Sequence, residues 1–261
     1  MKLLRLFAAG FSRSAQATLT FRINLLFDIV QSVIGLLASL ATVFVVYART
    51  DSLAGWTEAE AYVLIGTFQL LSSLKSTFID PNLSWFPENG IRQGKLDAYL
   101  LQPAPTLFLA SLARSTPLAL IRFVLGTVVI VLGVSGQGRL PTPGAILAWI
   151  VTLAAALAVT WAMGVLLACL AFWAPRLQLD VFYGSAWELG RYPTDIYRRP
   201  LRFVLTYVFP LALIATVPTT TLLGGPRLVL LVPCVIGAAI ACCLAVGCWR
   251  LGLRRYTGAT S

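Results

Sequence analysis

Three stretches of this chain stay almost free of charge for longer than a helix on a water-exposed surface can. Ile23 to Tyr47 holds a single acid, Asp28, and Ala145 to Trp173 and Leu228 to Trp249 hold no charged residue. At about 1.5 Å of rise per residue, about 20 such residues cross the ~30 Å hydrocarbon core of a bilayer. A helix that is apolar all round for that length has no face to offer water. Composition agrees: 11% of residues are charged, 58% are hydrophobic and the mean hydropathy is +0.83, whereas soluble domains carry about 25% charged residues. The chain reads as one all-α integral membrane domain over residues 1–261.

The net charge of +10 could point to nucleic acid. The Lys and Arg residues are gathered between apolar runs, however, as the positive-inside rule expects, and no compact basic domain holds them. Nucleic acid is therefore excluded as a partner, and the lipid bilayer takes its place. The five cysteines fall inside apolar runs without metal-type spacing, and histidine is absent. Both facts argue against a metal centre or an acid–base site.

Taken in order, Met1 to Phe21 is expected to be a basic amphipathic helix on the membrane surface. Leu4, Phe7, Phe11, Ala15 and Leu19 recur at helical spacing, while Arg5 and Arg13 interrupt any signal-peptide core. Six spans are expected at about 23–47, 61–78, 118–134, 145–173, 203–217 and 228–249, with both termini cytoplasmic. Lys75 is expected to snorkel at the end of the second span. Two large polar segments, 80–105 and 175–202, are read as cytoplasmic loops. Of the 20 Lys and Arg residues, only Arg49, Arg139 and Arg227 then fall outside. Pro218 to Pro226 is read as a segment dipping back into the bilayer beside a cavity.

Two groups of residues stand out. The first is a polar stripe on the first span: Asn24, Asp28, Gln31, Gly35, Ser39 and Thr42 step by three or four residues. Lipid cannot satisfy such a stripe, so it faces protein or water. Asp28 is either a residue of a translocation path or half of a structural ion pair with Arg122. The second group lies between Glu88 and Pro105. Leu96, Tyr99 and Leu100 fall on one face of a short helix, and Arg92, Lys95 and Asp97 fall elsewhere. Gly90 to Lys95 imitates a phosphate loop, but its glycines are one residue too close and Leu96 stands where Ser or Thr would meet magnesium. No nucleotide site is expected on this chain, and no catalytic or metal residue is assigned.

The run Ile91-Arg92-Gln93-Gly94-Lys95-Leu96-Asp97, followed by Leu100-Leu101 and Pro103, resembles the first cytoplasmic loop of ABC-2 type transporter permeases. It is most similar to the six-span branch. Gly190-Arg191-Tyr192-Pro193, Ile196-Tyr197 and Leu201-Arg202 are similar to that branch's second loop. Pro210, Pro218 and Gly252-Leu253-Arg254-Arg255-Tyr256 are similar as well. The resemblance implies the membrane half of an ATP-driven exporter in a bacterial cytoplasmic (inner) membrane. ATP and Mg would bind separate cytoplasmic ABC ATPase subunits. A second permease, identical or related, would complete a path lined by the first, second and fifth spans. Ile91, Arg92, Lys95, Leu96, Asp97, Tyr99 and Leu100 would form the ATPase-coupling helix. The expected cargo is amphipathic, either drug-like or lipid-linked. The alternative is a secondary transporter driven by an ion gradient, for which Asp28 is the one intramembrane acid at hand. A membrane enzyme would have to use Glu188 and Asp195.

Overall fold

The computed structural model describes residues 2–20, 22–174, 179–208 and 210–256; side chains at 2–4, 17–25, 179–182 and 207–208 are outside that description. Arg176 and the side chains of Leu4, Leu19 and Asn24 therefore lie outside the described residues. All regular structure among the described residues is helical, apart from an isolated bridge between Leu53 and Trp56. The α-helices are α1 (Lys2–Thr20), α2 (Arg22–Tyr47), α3 (Glu58–Leu74), α4 (Asp80–Leu83), α5 (Leu96–Leu100), α6 (Thr106–Leu112), α7 (Ile121–Gly136), α8 (Pro143–Cys169), α9 (Leu179–Glu188), α10 (Arg199–Phe203), α11 (Thr216–Gly224) and α12 (Leu228–Arg255).

Among the described residues, four stretches are long and apolar enough to cross a membrane: Leu26–Tyr47, Pro117–Gly136, Pro143–Phe172 and Leu228–Arg255. α3 begins with a capping box that satisfies its first N–H groups. Thr57 accepts from the Glu60 amide, and Glu60 accepts from the Thr57 amide at 2.8 Å. Thr142 caps α8 in the same way, with Pro143 in the first turn, where its missing N–H costs nothing.

α3 and α7 pack backbone to backbone. A Cβ on Gly66 would lie 2.7 Å from the Gly126 carbonyl oxygen, and one on Gly126 would lie 2.7 Å from that of Gly66. Small residues allow helices this close, and close approach maximises dispersion contact where lipid offers no hydrophobic drive. Ser73 donates to the Ala119 carbonyl at 2.8 Å and ties the same pair near its other end. α8 and α12 form a second closely packed pair, this one parallel, with residues 144, 158 and 172 meeting 226, 242 and 252 in order. Along it, Ala155, Val159, Cys234 and Ala238 pack together, and Phe172 closes against Gly252.

The contacts define two ends of the bundle. One carries Lys75, Phe86, Phe172 and Trp249; the other carries Tyr47, Trp56, Gly136 and Gly224. At the first, Phe7 and Phe11 of α1 stack on Phe78 at 5.5 and 6.1 Å.

Of the expected loop 175–202, the described residues 179–202 do not form a loop at one end, which corrects the sequence expectation. Tyr183 lies beside Lys75, Trp187 beside Phe68, and Arg191 beside Ser39. Further on, Tyr192 and Ile196 meet Tyr47 and Leu53, and Asp195 meets Trp56. Residues 179–196 thus travel from the Lys75 end to the Trp56 end. Eighteen residues at helical rise cover about 27 Å, and the looser turns after Glu188 lengthen that. Arg198, Arg199 and Arg202 follow at the Trp56 end, where Arg202 pairs with Asp195 at 2.6 Å.

The expected span 203–217 is likewise not continuous. Its helices bend by 72° where Arg199–Thr206 gives way to Leu211–Gly224. Pro210 supplies no N–H and cannot continue the ladder. Leu205 and Leu211 reach the buried core beside Trp187, and α11 then climbs back along α8, with Thr152 and Thr221 hydroxyls 3.3 Å apart. Gly225 (φ +80°) ends it at the Trp56 end in a conformation that β-carbon-bearing residues resist.

Gly66→Ala is expected to lower unfolding stability in detergent by about 1–3 kcal/mol through overpacking against α7. Gly237→Ala, which points into open space, is expected to lose nothing. Equal thermal midpoints for the two variants would contradict the α3–α7 contact.

Candidate functional site

The end of α3 departs from α-helical geometry. Lys75–Ile79 is a π-helical turn in which the Asp80 amide donates to the Lys75 carbonyl, five residues back. That pitch brings residues i and i+5 onto one face, which an α-helix does not do. Lys75 Nζ and Asp80 Oδ1 consequently meet at 2.6 Å, with the lysine side chain only 9% exposed. Its ammonium also lies over the Tyr183 and Trp187 rings, at 5.4 and 5.0 Å from their centroids. Trp187 in turn donates its indole N–H to Ser72 at 2.8 Å. Lys75 therefore does not snorkel, as its position at a helix end suggested. It is held inside by a carboxylate and two aromatic faces, each of which favours the cation.

Beside this pair opens a polar recess of ≈ 310 Å³ between α2, α3, the start of α7 and the 179–196 crossing. Gln31 and Ser32 line it from α2, Gln69 and Ser72 from α3, and Arg122 and Arg191 close it. The polar stripe on the first span is thus partly gathered here. Ser39 lies further along the same face; it accepts from Arg191 Nη1 at 3.0 Å and donates to the Gly35 carbonyl. Arg191 also pairs with Glu188 and lies 5.5 Å from the Phe68 ring centre. Asp28 does not pair with Arg122 among the described residues. Arg122 Nε donates instead to Ser32 Oγ at 3.1 Å, and Ser32 donates to the Asp28 main-chain oxygen at 2.6 Å. The ion-pair expectation is corrected on this point: a serine one turn along stands where the carboxylate was expected.

The second group also rearranges. Ile91 to Leu101 is not one helix. A π-helical stretch, Phe86–Arg92, ends at Gln93, Gly94 takes φ +67°, and α5 begins at Leu96. Leu96 is fully buried among Phe86, Ala110 and Trp249. Tyr99 stacks on Trp85 at 5.3 Å, and Ile91 packs against the same cluster. Leu96, Tyr99 and Ile91 are therefore internal anchors and not a free docking face. Arg92 pairs with Glu88, and Lys95 donates to Asn89 at 3.0 Å. Tyr256, at the end of α12, packs against the same cluster, and burial, with Asp97 nearby, raises its phenol above the usual range. What points outward is Leu100, 46% exposed, and Leu101, 87% exposed.

The loop is clamped to its surroundings by Asn82, which is 1% exposed. Its amide donates to the Phe78 and Arg114 carbonyls at 2.8 and 2.9 Å, and its oxygen accepts from the Arg114 amide at 3.0 Å. The Arg114 guanidinium lies 3.8 Å from the Trp85 ring centre. Leu83 fills the notch at Gly164 of α8, and Phe86 stacks on Trp249 of α12 at 5.1 Å.

Sequence pattern alone missed the Lys75–Asp80 pair and the placement of Arg191, with Glu188 beside it, at the rim of the recess. The only sign of the pair was a five-residue spacing that α-helical geometry separates. Glu188 and Arg191 sat in a charged, aromatic stretch that resembled a loop.

Apolar helices long enough to cross a membrane, packed around a polar recess, define an all-α membrane protein. The chain belongs to the ABC-2 transporter family: the family model described as "ABC-2 family transporter protein" matches residues 33–260. No curated protein and no solved structure matches it. Family membership makes the chain a membrane permease that acts with an ABC-type ATPase.

Asp80→Asn is expected to destabilise the protein by about 3 kcal/mol, because it leaves the Lys75 ammonium buried without its carboxylate. Lys75→Met combined with Asp80→Asn is expected to recover most of that loss. Thermal unfolding of both variants measures the difference, and an additive double variant would show that the pair is not coupled.

Proposed function

We propose that this chain is the membrane-spanning permease of an ATP-driven ABC exporter, with ATP and Mg held by separate cytoplasmic ATPase subunits. The Lys75 end is the cytoplasmic one. Arg5, Arg13, Arg92, Lys95, Arg114, Arg250, Arg254 and Arg255 accumulate there, in keeping with the positive-inside rule. Six crossings follow from this assignment: α2, α3, α7, α8, residues 179–196 and α12, with both termini cytoplasmic. Residues 199–224 then enter from the outer face and return to it. α1 lies along the inner membrane surface.

The observation that carries this reading is the clamped loop. Asn82, Leu83 and Phe86 join it to α3, α8 and α12, while Leu100 and Leu101 remain uncovered at its tip. A short helix with an exposed apolar tip on a rigid mount suits a groove on a partner. Closure of the ATPase pair on ATP would push that mount, and the attached helices would move with it. The path runs beside α2, α3 and the 179–196 crossing, where the polar recess lies, and faces a second permease, identical or related. Its cargo is an amphipathic compound, drug-like or lipid-linked. The membrane is a bacterial cytoplasmic membrane.

Replacing both Leu100 and Leu101 by Asp is expected to leave the thermal midpoint nearly unchanged, since both are exposed. ATPase co-purification and ATP-dependent transport are expected to fall by at least tenfold, because each apolar anchor contributes about 1.5–3 kcal/mol when covered. Leu96→Asp, by contrast, is expected to prevent stable folding, since it buries a carboxylate among aromatic rings. An intact, active complex in the Leu100/Leu101 variant would move the coupling surface elsewhere. Transport that continues without ATP and follows a proton gradient would favour the ion-driven alternative.

A further inference from the structure

Three cations line the recess, and two of them are neutralised within the chain. Lys75 meets Asp80 and Arg191 meets Glu188. Arg122 meets neither acid. Its one hydrogen bond runs from Nε to the neutral Ser32 hydroxyl, and no ion pair involves it among the described residues. The guanidinium cannot shed its proton to escape a poorly solvated site. Ser32 stands six residues into the apolar stretch that begins at Leu26, about 9 Å along the helix. At that depth a cation without a counter-charge is costly, and intramembrane ionisable groups mark ligand paths.

With Nε committed to Ser32, the two terminal nitrogens of Arg122 keep their donors. Parallel N–H groups of this kind match two oxygens of a carboxylate, sulfate or phosphate. The recess of ≈ 310 Å³ beside it has room for such a group, and the Gln31 and Gln69 amides line the same space. On α2, Phe27, Gln31, Ile34 and Ala38 follow one another at spacings of three and four. Phe27 is 70% exposed and Ile34 61%. An apolar strip therefore runs past the polar mouth on the outer side of the helix.

We infer that this recess binds the oxyanion head group of an amphiphile, with Arg122 as the recognising residue and the exposed strip of α2 as the bed for its apolar chain. The inference rests on the reading of this seam as the transport path and narrows the cargo to anionic amphiphiles. The shared chemistry is the oxyanion, whether it is carried on a chain or free in solution. Asp28, one turn before Ser32, opposes it by its charge and sets an upper limit on affinity.

The test uses the full-length chain in micelles of an uncharged maltoside, with dodecyl phosphate, dodecanol and inorganic phosphate as probes in equilibrium binding. Dodecyl phosphate is expected to bind saturably, at least tenfold more weakly to Arg122→Gln, and without competition from dodecanol. Asp28→Asn is expected to tighten dodecyl phosphate severalfold, which keeps the test open if Arg122→Gln fails to fold. Inorganic phosphate that binds as tightly as dodecyl phosphate would overturn the amphiphile assignment. Dodecanol binding as well as dodecyl phosphate, or an affinity indifferent to both substitutions, would overturn the site itself. ATPase co-purification is measured on the same samples. Dodecyl phosphate binding to the wild-type chain that is absent or independent of Arg122, with the ATPase retained, defeats this inference alone, and intact Arg122-dependent binding in a chain that recruits no ATPase defeats the permease reading alone.

Discussion

A lysine ammonium inside a membrane protein must have its charge answered nearby, and much of the polar interior here is arranged around Lys75. A π-helical turn supplies the answer by rotating Asp80 onto the lysine's face, and Tyr183 and Trp187 complete the enclosure. Because those two aromatics belong to the 179–196 crossing, the ion pair also fixes how that crossing sits against α3. Trp187 then hydrogen-bonds Ser72, and Arg191 and Glu188 follow in register along Phe68 and Ser39. One buried charge thus orders four polar side chains along the 179–196 segment.

That segment shows how charged residues are kept inside the bundle. Its Arg191 and Glu188 satisfy one another and turn toward the recess, while Tyr183, Trp187 and Leu189 turn to the apolar core. Irregular turns after Glu188 are tolerated because they lie against protein and a polar space. The bent pair after it follows the same rule. Thr194, Thr216 and Thr221 are buried around it; the Thr216 hydroxyl accepts from the Thr194 amide and the Thr221 hydroxyl donates to the Pro218 carbonyl, bonds that lipid cannot supply.

The long crossings were legible in the sequence because lipid demands uniform apolarity, and Ala145 to Trp173 or Leu228 to Trp249 admit no other reading. The polar stripe on the first span was legible for the converse reason. What escaped was any element whose polar groups are satisfied inside the protein. Residues 179–196 carry charges and short turns, so local composition matched a loop, and only the tertiary positions of Tyr183, Arg191 and Ile196 show that they run from one end of the bundle to the other. The same limit applied to Leu96. Periodicity placed Leu96, Tyr99 and Leu100 on one helix face, but it carries no information on whether that face meets the chain's own core or a partner. Phe86 and Trp249, distant in sequence, decide it. Asp28 and Arg122 were matched by charge, whereas the fold offered Arg122 a serine.

The glycine contact between α3 and α7 bears on how such a molecule can deform. Two backbones in van der Waals contact along Gly66 and Gly126, pinned again by Ser73 and Ala119, cannot slide without climbing over one another's carbonyls. They behave as a beam. α2 has no such lock: Gly35 faces open space and the helix's outer side is bare. A displacement at the foot of the beam would therefore be taken up at the α2 seam, the wall on which the polar recess opens, so that compliance and chemistry coincide there.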